Sequence, residues 1–158
     1  MYMRKFFTDG SAEPNPGLGG FAVILNQQPV ALGREADSTN IRMEGQALLA
    51  AYALAKDGDQ IISDSRFWLD VLKKWAPAWQ SAGWKKKRGE IKNLALVQAL
   101  YTAYCRKPQV KLVWTAAHVG TLGNELADQW ANRARLGWSL VPGQKEPKPP
   151  KTNDKTAD

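Results

Sequence analysis

Apolar residues fall in short blocks separated by turn formers, and the period within each block predicts its structure. Residues 2–9, Tyr-Met-Arg-Lys-Phe-Phe-Thr-Asp, read as a strand ending on a carboxylate. Residues 10–20 hold Pro14, Pro16 and four glycines and read as a turn segment. Residues 21–25 form an apolar, β-prone run, with residues 30–33 as its hairpin partner across Gln27-Gln28-Pro29. Thr39 or Asn40 can cap a helix over about 42–55, in which Met43, Ala47, Ala50 or Ala51, and Leu54 recur at helical spacing. A short strand at 60–63 delivers Asp64, and helical segments follow over 65–82 with Pro77 breaking or restarting the run. Residues 84–89 are a basic connection. Residues 91–105 are helical, with Leu94, Val97, Gln98 and Tyr101 along one side; 109–115 is a strand and 122–135 a closing helix. Three strands, helix, strand, helices, strand, helix predicts an α/β fold: a five-stranded mixed sheet, an antiparallel meander extended by parallel strands through helical crossovers.

Composition narrows the class. The 158 residues, 44% hydrophobic, suit one domain with a proper core, so folding requires no disulfide or metal staple. Cys105 has no partner for an intramolecular disulfide, which fits a reducing cytoplasm. The start has no apolar stretch long enough for a signal peptide, and no apolar run is long enough for a transmembrane helix, so a cytoplasmic protein without a membrane partner is expected. The net charge of +7 points to a polyanionic partner, nucleic acid first, although a basic surface also serves solubility.

Four acidic residues sit in unusual settings. Asp9 ends an aromatic strand, Glu44 lies in the first turn of the striped helix, Asp64 ends the Ile-Ile strand, and Asp128 is on the last helix near Ala127 and Ala131. Taken singly, Glu44 could favour the helix dipole, Asp64 could cap the helix starting at Ser65, and Asp128 could be an ordinary surface residue. Functional groups of open α/β sheets collect at the C-terminal ends of neighbouring strands. If the strands carrying Asp9 and Asp64 are neighbours, two carboxylates converge and repel, and a hard divalent cation resolves the conflict. Two Mg²⁺ ions about 4 Å apart stabilise both oxygens of an in-line phosphodiester cleavage. With no Cys/His cluster, the acids argue for Mg²⁺ over zinc.

These residues carry a family resemblance. Phe7-Thr8-Asp9-Gly10-Ser11, Asn15-Pro16-Gly17-Leu18-Gly19-Gly20-Phe21, Thr39-Asn40-Ile41-Arg42-Met43-Glu44, Ser63-Asp64-Ser65, Trp75…Trp79…Gly83-Trp84-Lys85, and His118-Val119-Gly120…Asn124-Glu125-Leu126-Ala127-Asp128 occur in order and at near-family spacing. Over about residues 3–136 the chain resembles ribonuclease HI, the type 1 ribonuclease H family. The resemblance implies a ribonuclease H-like fold and an endonuclease that cuts the RNA strand of RNA–DNA hybrids by a two-metal-ion mechanism. The products implied are 5′-phosphate and 3′-hydroxyl ends. Mg²⁺ is the implied cofactor, two ions with substrate bound, with Mn²⁺ as a possible substitute. Asp9 would bridge both ions, Asp128 would help hold the ion that activates water, and Glu44 and Asp64 the ion beside the leaving oxygen. His118, the only histidine, matches a residue that assists proton transfer or product release. Asn15 and Asn40 match contacts to the hybrid's minor groove, where 2′-hydroxyls mark RNA. Thr39 and Asn93 match a pocket for a DNA-strand phosphate.

The stretch from Trp84 to Arg88, with Lys73, Lys74 and Lys92, resembles the family's basic protrusion. Lys85, Lys86 and Lys87 are placed on phosphates, Trp75 on the DNA strand, and Trp79 in packing. A catalytic domain is expected over 1–138, and the Pro/Lys-rich composition of 139–158 reads as a disordered tail. With no hybrid-binding domain expected ahead of Met1, this domain is expected to bind alone, as a monomer. Ile41, Arg66, Ala78 and Asp37 depart from common family residues and touch substrate grip rather than the carboxylates. Two rival readings are a non-catalytic hybrid-binding module, disfavoured by the full set of four acids, and a DNA-cutting nuclease or recombinase on the same fold, disfavoured by Asn15, Asn40 and the basic stretch.

Overall fold

The structure is a computed structural model describing residues 3–116 and 121–140. A five-stranded sheet runs in the order β3-β2-β1-β4-β5, from β1 (Lys5–Glu13), β2 (Gly17–Leu25), β3 (Gln28–Ser38), β4 (Gln60–Ser63) and β5 (Lys111–Trp114). The β1–β2 and β2–β3 pairs are antiparallel; β1–β4 and β4–β5 are parallel. The mixed sheet expected from the element order is therefore observed. Helices α1 (Asn40–Leu54), α2 (Arg66–Asp70), α3 (Ala76–Ser81), α4 (Leu94–Arg106) and α5 (Leu122–Arg135) complete it, with a π-helical turn, Val71–Trp75, joining α2 to α3.

The helices divide the core. Phe6, Val23, Leu48, Tyr52, Ile61, Trp68, Leu72, Val97 and Leu100 form the larger cluster, which draws on the sheet, α1, α2 and α4. A smaller cluster of Ala22, Ile24, Ala127 and Ala131 seats α5 on β2. The alanines let α5 approach closely, and a Cβ on Gly20 would overlap the α5 backbone at Arg135 and Ala131. At the foot of the sheet the Arg4 side chain donates to Asp59, which also accepts the Lys56 amide; this staple ties β1 to the loop before β4.

Several expected boundaries move. Asp9 does not end its strand: β1 continues to Glu13 because 9–13 pair with 18–22 of β2. The glycine-rich stretch is thus strand on both sides of a short turn around Pro14–Pro16. Gly10, Gly19 and Gly20 leave room for α1 and α5, and ladder bonding outweighs the low strand propensity of glycine. The hairpin turns at Asn26 and Gln27, both at positive φ (52° and 66°), rather than at 27–29, and β3 extends to Ser38. The α1 core face is Met43, Ala47, Leu48, Ala51 and Tyr52, whereas Leu54 is exposed, because sheet and α4 bury a wider arc than one stripe. Helix α4 starts at Leu94 behind Asn93, which is left-handed (φ 56°); its buried residues are Leu96, Val97 and Leu100 rather than the stripe through Leu94 and Tyr101. Pro77 restarts rather than breaks the 65–82 run, sitting in the first turn of α3. The chain widens into the π turn just before it, where the Ala76 amide reaches back to the Val71 carbonyl.

Candidate active site

Phe7 and Ile62 are the last parallel-paired residues of β1 and β4. Asp9 and Asp64 each lie two residues beyond that pair, so they stand side by side where the parallel pairing of β1 and β4 ends, Asp9 still paired to β2. Glu44 arrives from α1. Gly10 makes this possible: a Cβ there would overlap the Met43 carbonyl carbon and the Glu44 amide nitrogen, so the helix lies directly on the strand. Thr39 caps α1, accepting the Arg42 amide at 3.1 Å. Trp68 packs under Gly45 and donates its indole N–H to the Ile41 carbonyl at 2.7 Å, which holds the start of α1 against α2.

One ligand oxygen from each of Asp9, Glu44 and Asp64 lies within 4.8 Å of the others. Along β1 the Phe7 and Ser11 side chains meet α5 at Gly123 and Asn132. Asp9 lies between them on the same face, and Asp128 stands one turn before Asn132 on α5. Asp128 is outside the group of three, but its charge reaches Asp9.

Burial, with repulsion from Asp64, Asp128 and Glu44, pushes the Asp9 carboxyl up to about 8, against the opposing hydrogen bond from the Gly10 amide at 2.8 Å. Burial, with repulsion from Asp64, pushes Glu44 up to about 7, opposed by a hydrogen bond with the Ser65 side chain. A pocket of hard oxygen donors whose carboxyls are held protonated by burial and mutual repulsion is suited to a divalent cation.

The RNase H family model matches residues 3–135. The chain belongs to the ribonuclease H family. This is an endoribonuclease family, so the chain is an enzyme. A ribonuclease H of Pseudomonas aeruginosa is 39% identical over 133 residues, covering 80% of this chain and 89% of that relative. One of Francisella tularensis subsp. novicida is 37% identical over 134 residues, covering 81% and 88%. Among solved structures, LC9-RNase H1, described as a type 1 RNase H with the type 2 active-site motif, superposes with a TM-score of 0.70 at 27% identity, covering 84% of this chain and 72% of that one. A foamy viral protease-reverse transcriptase in complex with dsDNA gives 0.72 at 22% identity over 85% and 94%, a likeness of fold. The sheet is thus a ribonuclease H fold.

The other expected site residues fall into two groups. The Asn40 amide donates to the Asn15 side chain at 3.2 Å, and the Asn40 side chain accepts the Ala12 amide at 2.7 Å, so these two asparagines form one ledge. Arg42 joins Thr39 to Asn93: its amide goes to the Thr39 hydroxyl and its guanidinium to the Asn93 side chain at 3.5 Å, while Glu35 pairs with it at 2.8 Å. No sequence signal marked Arg42 for this linkage, because Glu35 meets it only once β3 reaches α1. The second group lies apart from the carboxylates. Trp75, Trp79, Lys85, Lys86, Lys87, Arg88 and Lys92 line one groove of about 910 Å³. Trp75 is 54% exposed and stacks on the half-buried Trp79. Trp84 instead packs edge-on against Tyr101 of α4. His118 and the tail beyond 140 lie outside the described residues. Among the described residues no helix is long and apolar enough to cross a membrane.

Proposed function

We propose that this chain, acting as a monomer, hydrolyses the RNA strand of RNA–DNA hybrids and leaves 5′-phosphate and 3′-hydroxyl ends. The observation that carries this reading is the convergence of Asp9, Glu44 and Asp64 within 4.8 Å. In this reading Asp9, Glu44, Asp64 and Asp128 hold Mg²⁺, two ions when substrate is present, with Mn²⁺ able to replace it. Bound there, the metal supplies a polarised water and charge stabilisation at the scissile phosphate. Asp9 faces both the Glu44–Asp64 side and Asp128, which suits it to be the shared ligand. Ser65 keeps Glu44 oriented and favours its ionised form. His118, four residues ahead of α5 in the sequence, assists proton transfer or product release. The Asn15–Asn40 ledge reads 2′-hydroxyls in the minor groove. Thr39 and Asn93, braced by Arg42, receive a DNA-strand phosphate, and Trp75 with Lys85, Lys86 and Lys87 holds the DNA strand farther along.

The test uses end-labelled RNA–DNA hybrid, RNA duplex, DNA duplex and single strands, each with Mg²⁺ or EDTA. Cleavage confined to the RNA of the hybrid, and only with metal, is expected. Equal cutting of DNA duplex, or full activity in EDTA, would remove this reading.

The basic groove makes a separate prediction. Each phosphate contact releases condensed counterions, so affinity falls with salt at a slope of about 0.9 per contact. Replacing Lys85, Lys86 and Lys87 together with Ala should raise KM and flatten that slope, with a much smaller effect on kcat. Deleting residues 142–158 should change KM less. A truncation that flattens the slope, beside a triple variant that does not, would place the binding surface on the tail.

A further inference from the structure

Helix α5 carries Asp128 but is seated on the sheet by small side chains. Ala127, Ala131 and Ala134 are fully buried, and the first two pack with Ala22 and Ile24 of β2. Methyl groups let a helix approach closely, yet they interlock little. Such a seam sets the spacing of α5 from the sheet better than its position along its own axis. A polar bridge supplies that second restraint. The Ser11 hydroxyl donates to the Asn132 side-chain oxygen at 3.2 Å, and the Asn132 side-chain nitrogen donates to the Asp128 carbonyl at 3.1 Å. Both residues are half-buried. The amide is thus committed at both ends, one to β1 and one to the turn of α5 that begins with Asp128. Ser11 lies two residues beyond Asp9 on the same face of β1, so the bridge runs from the strand of one acid to the backbone of another. The Arg135–Glu13 ion pair near the end of α5 is looser, at 3.6 Å with Glu13 exposed, and holds the helix weakly.

We infer that Asn132, held by Ser11, is a positioning residue that sets the reach of Asp128 to Asp9, and so the hold on the ion between those two acids. The inference rests on the two-ion reading of the site and deepens it. Asp128 stands outside the group of three acids whose oxygens lie within 4.8 Å of one another, so its place depends on where α5 rests. Mg²⁺ demands near-ideal octahedral geometry, with oxygens at about 2.0–2.1 Å. One residue of slide along a helix is about 1.5 Å, so a fraction of that displacement spoils ligation by Asp128 while leaving the other three acids in place. A polar pair in an otherwise uniform apolar seam is an effective way to fix register. Asn132 acts only through the turn that carries Asp128.

Two measurements on the full chain test this. One is the Mg²⁺ concentration that gives half-maximal hybrid cleavage. The other is the number and affinity of bound Mn²⁺ ions, counted by electron paramagnetic resonance, in the complex with a hybrid whose RNA strand carries uncleavable 2′-fluoro groups. Ser11→Ala and Asn132→Ala should each weaken the second Mn²⁺ roughly threefold to tenfold, the scale of one partly buried hydrogen bond. That is less than the ~10- to 100-fold typical where a metal ligand loses its own partner. The Mg²⁺ midpoint should rise by the same factor, whereas the first Mn²⁺, KM for the hybrid and kcat at saturating Mg²⁺ should stay near wild type. Ser11→Thr keeps the hydroxyl and should restore the midpoint. In an Asp128→Asn background, Ser11→Ala should leave the Mg²⁺ midpoint of that variant unchanged, because the bridge acts through the missing carboxylate. A wild-type second ion in Ser11→Ala and Asn132→Ala overturns the inference. Equal weakening of both ions, or the same shift in the Asp128→Asn background, also overturns it, by marking a loosened fold. If wild type takes no second Mn²⁺, or keeps it after Asp128→Asn, the two-ion reading has failed and the inference falls with it.

Discussion

Asp9→Asn should lower cleavage of the hybrid's RNA strand by roughly 10³-fold or more, equivalent to about 4 kcal/mol of lost transition-state stabilisation. The substitution keeps size and shape and removes a charge. Asp9 is the acid on which the others converge: Asp64, Asp128 and Glu44 all act on it. Losing it removes the one carboxylate that links the pair from α1 and β4 to the acid on α5. Hybrid binding should persist, because the Asn15–Asn40 ledge, the Arg42-braced pair and the basic groove are built from other elements. Single-turnover cleavage beside fluorescence anisotropy separates the two effects. A variant that cuts within about tenfold of wild type would show that Asp9 is not central. One that neither cuts nor binds would point to a collapsed site rather than a lost ligand.

The same substitution should stabilise the metal-free protein at alkaline pH. Asp9 moves from an unfolded value of 3.8 to about 8 on folding, and Glu44 from 4.5 to about 7. Both shifts are upward, so in the range between, the folded state holds protons that the unfolded state has released. The associated stability is fully present below about pH 4 and is lost as pH rises through 7 and 8, flattening above. The loss for wild type is on the order of a few kcal/mol. Asp9→Asn removes the larger share, so in EDTA at pH 8.5 it should melt roughly 5–10 °C above wild type, with the difference shrinking towards pH 4. Asp64→Asn should act in the same direction through the repulsion it relieves. Calorimetry showing both variants destabilised at pH 8.5 would make the acids structural. Activity traded against stability in this way is common at functional sites.

Much of the site was legible because its residues are tied to local signals. Asp64 follows a short β-branched run, Glu44 sits just inside a capped helix, and Asp128 lies beside two alanines that pack. What could not be read locally is set by contacts between distant segments. Asp9 was expected at a strand end, whereas β1 runs on past it, because β2 supplies a ladder that no feature of residues 10–13 announces. Gly10 read as a turn residue; its purpose is visible only once α1 lies on it. Gln27 adopts positive φ without being Gly or Asn, so its turn was misplaced by a residue or two. Ser65 read as the start of a helix and proved also to be the Glu44 partner. Arg42–Glu35 and Arg66–Trp114 join residues from different elements, and nothing in their sequence spacing predicts either pair.

The central claim is that Asp9, Glu44 and Asp64 form one metal site, and the most direct test is the melting temperature as Mg²⁺ is titrated into the protein at pH 8.5. A ligand that binds the folded state alone stabilises it by RT ln(1 + [L]/Kd), so the rise should grow with concentration through the dissociation constant. Wild type should start low in EDTA and climb with Mg²⁺, and with Mn²⁺ at lower concentration. Asp9→Asn should start higher and climb little, so the two curves converge or cross. Parallel curves for wild type and Asp9→Asn, or a wild-type curve that stays flat to saturating Mg²⁺, would contradict the account.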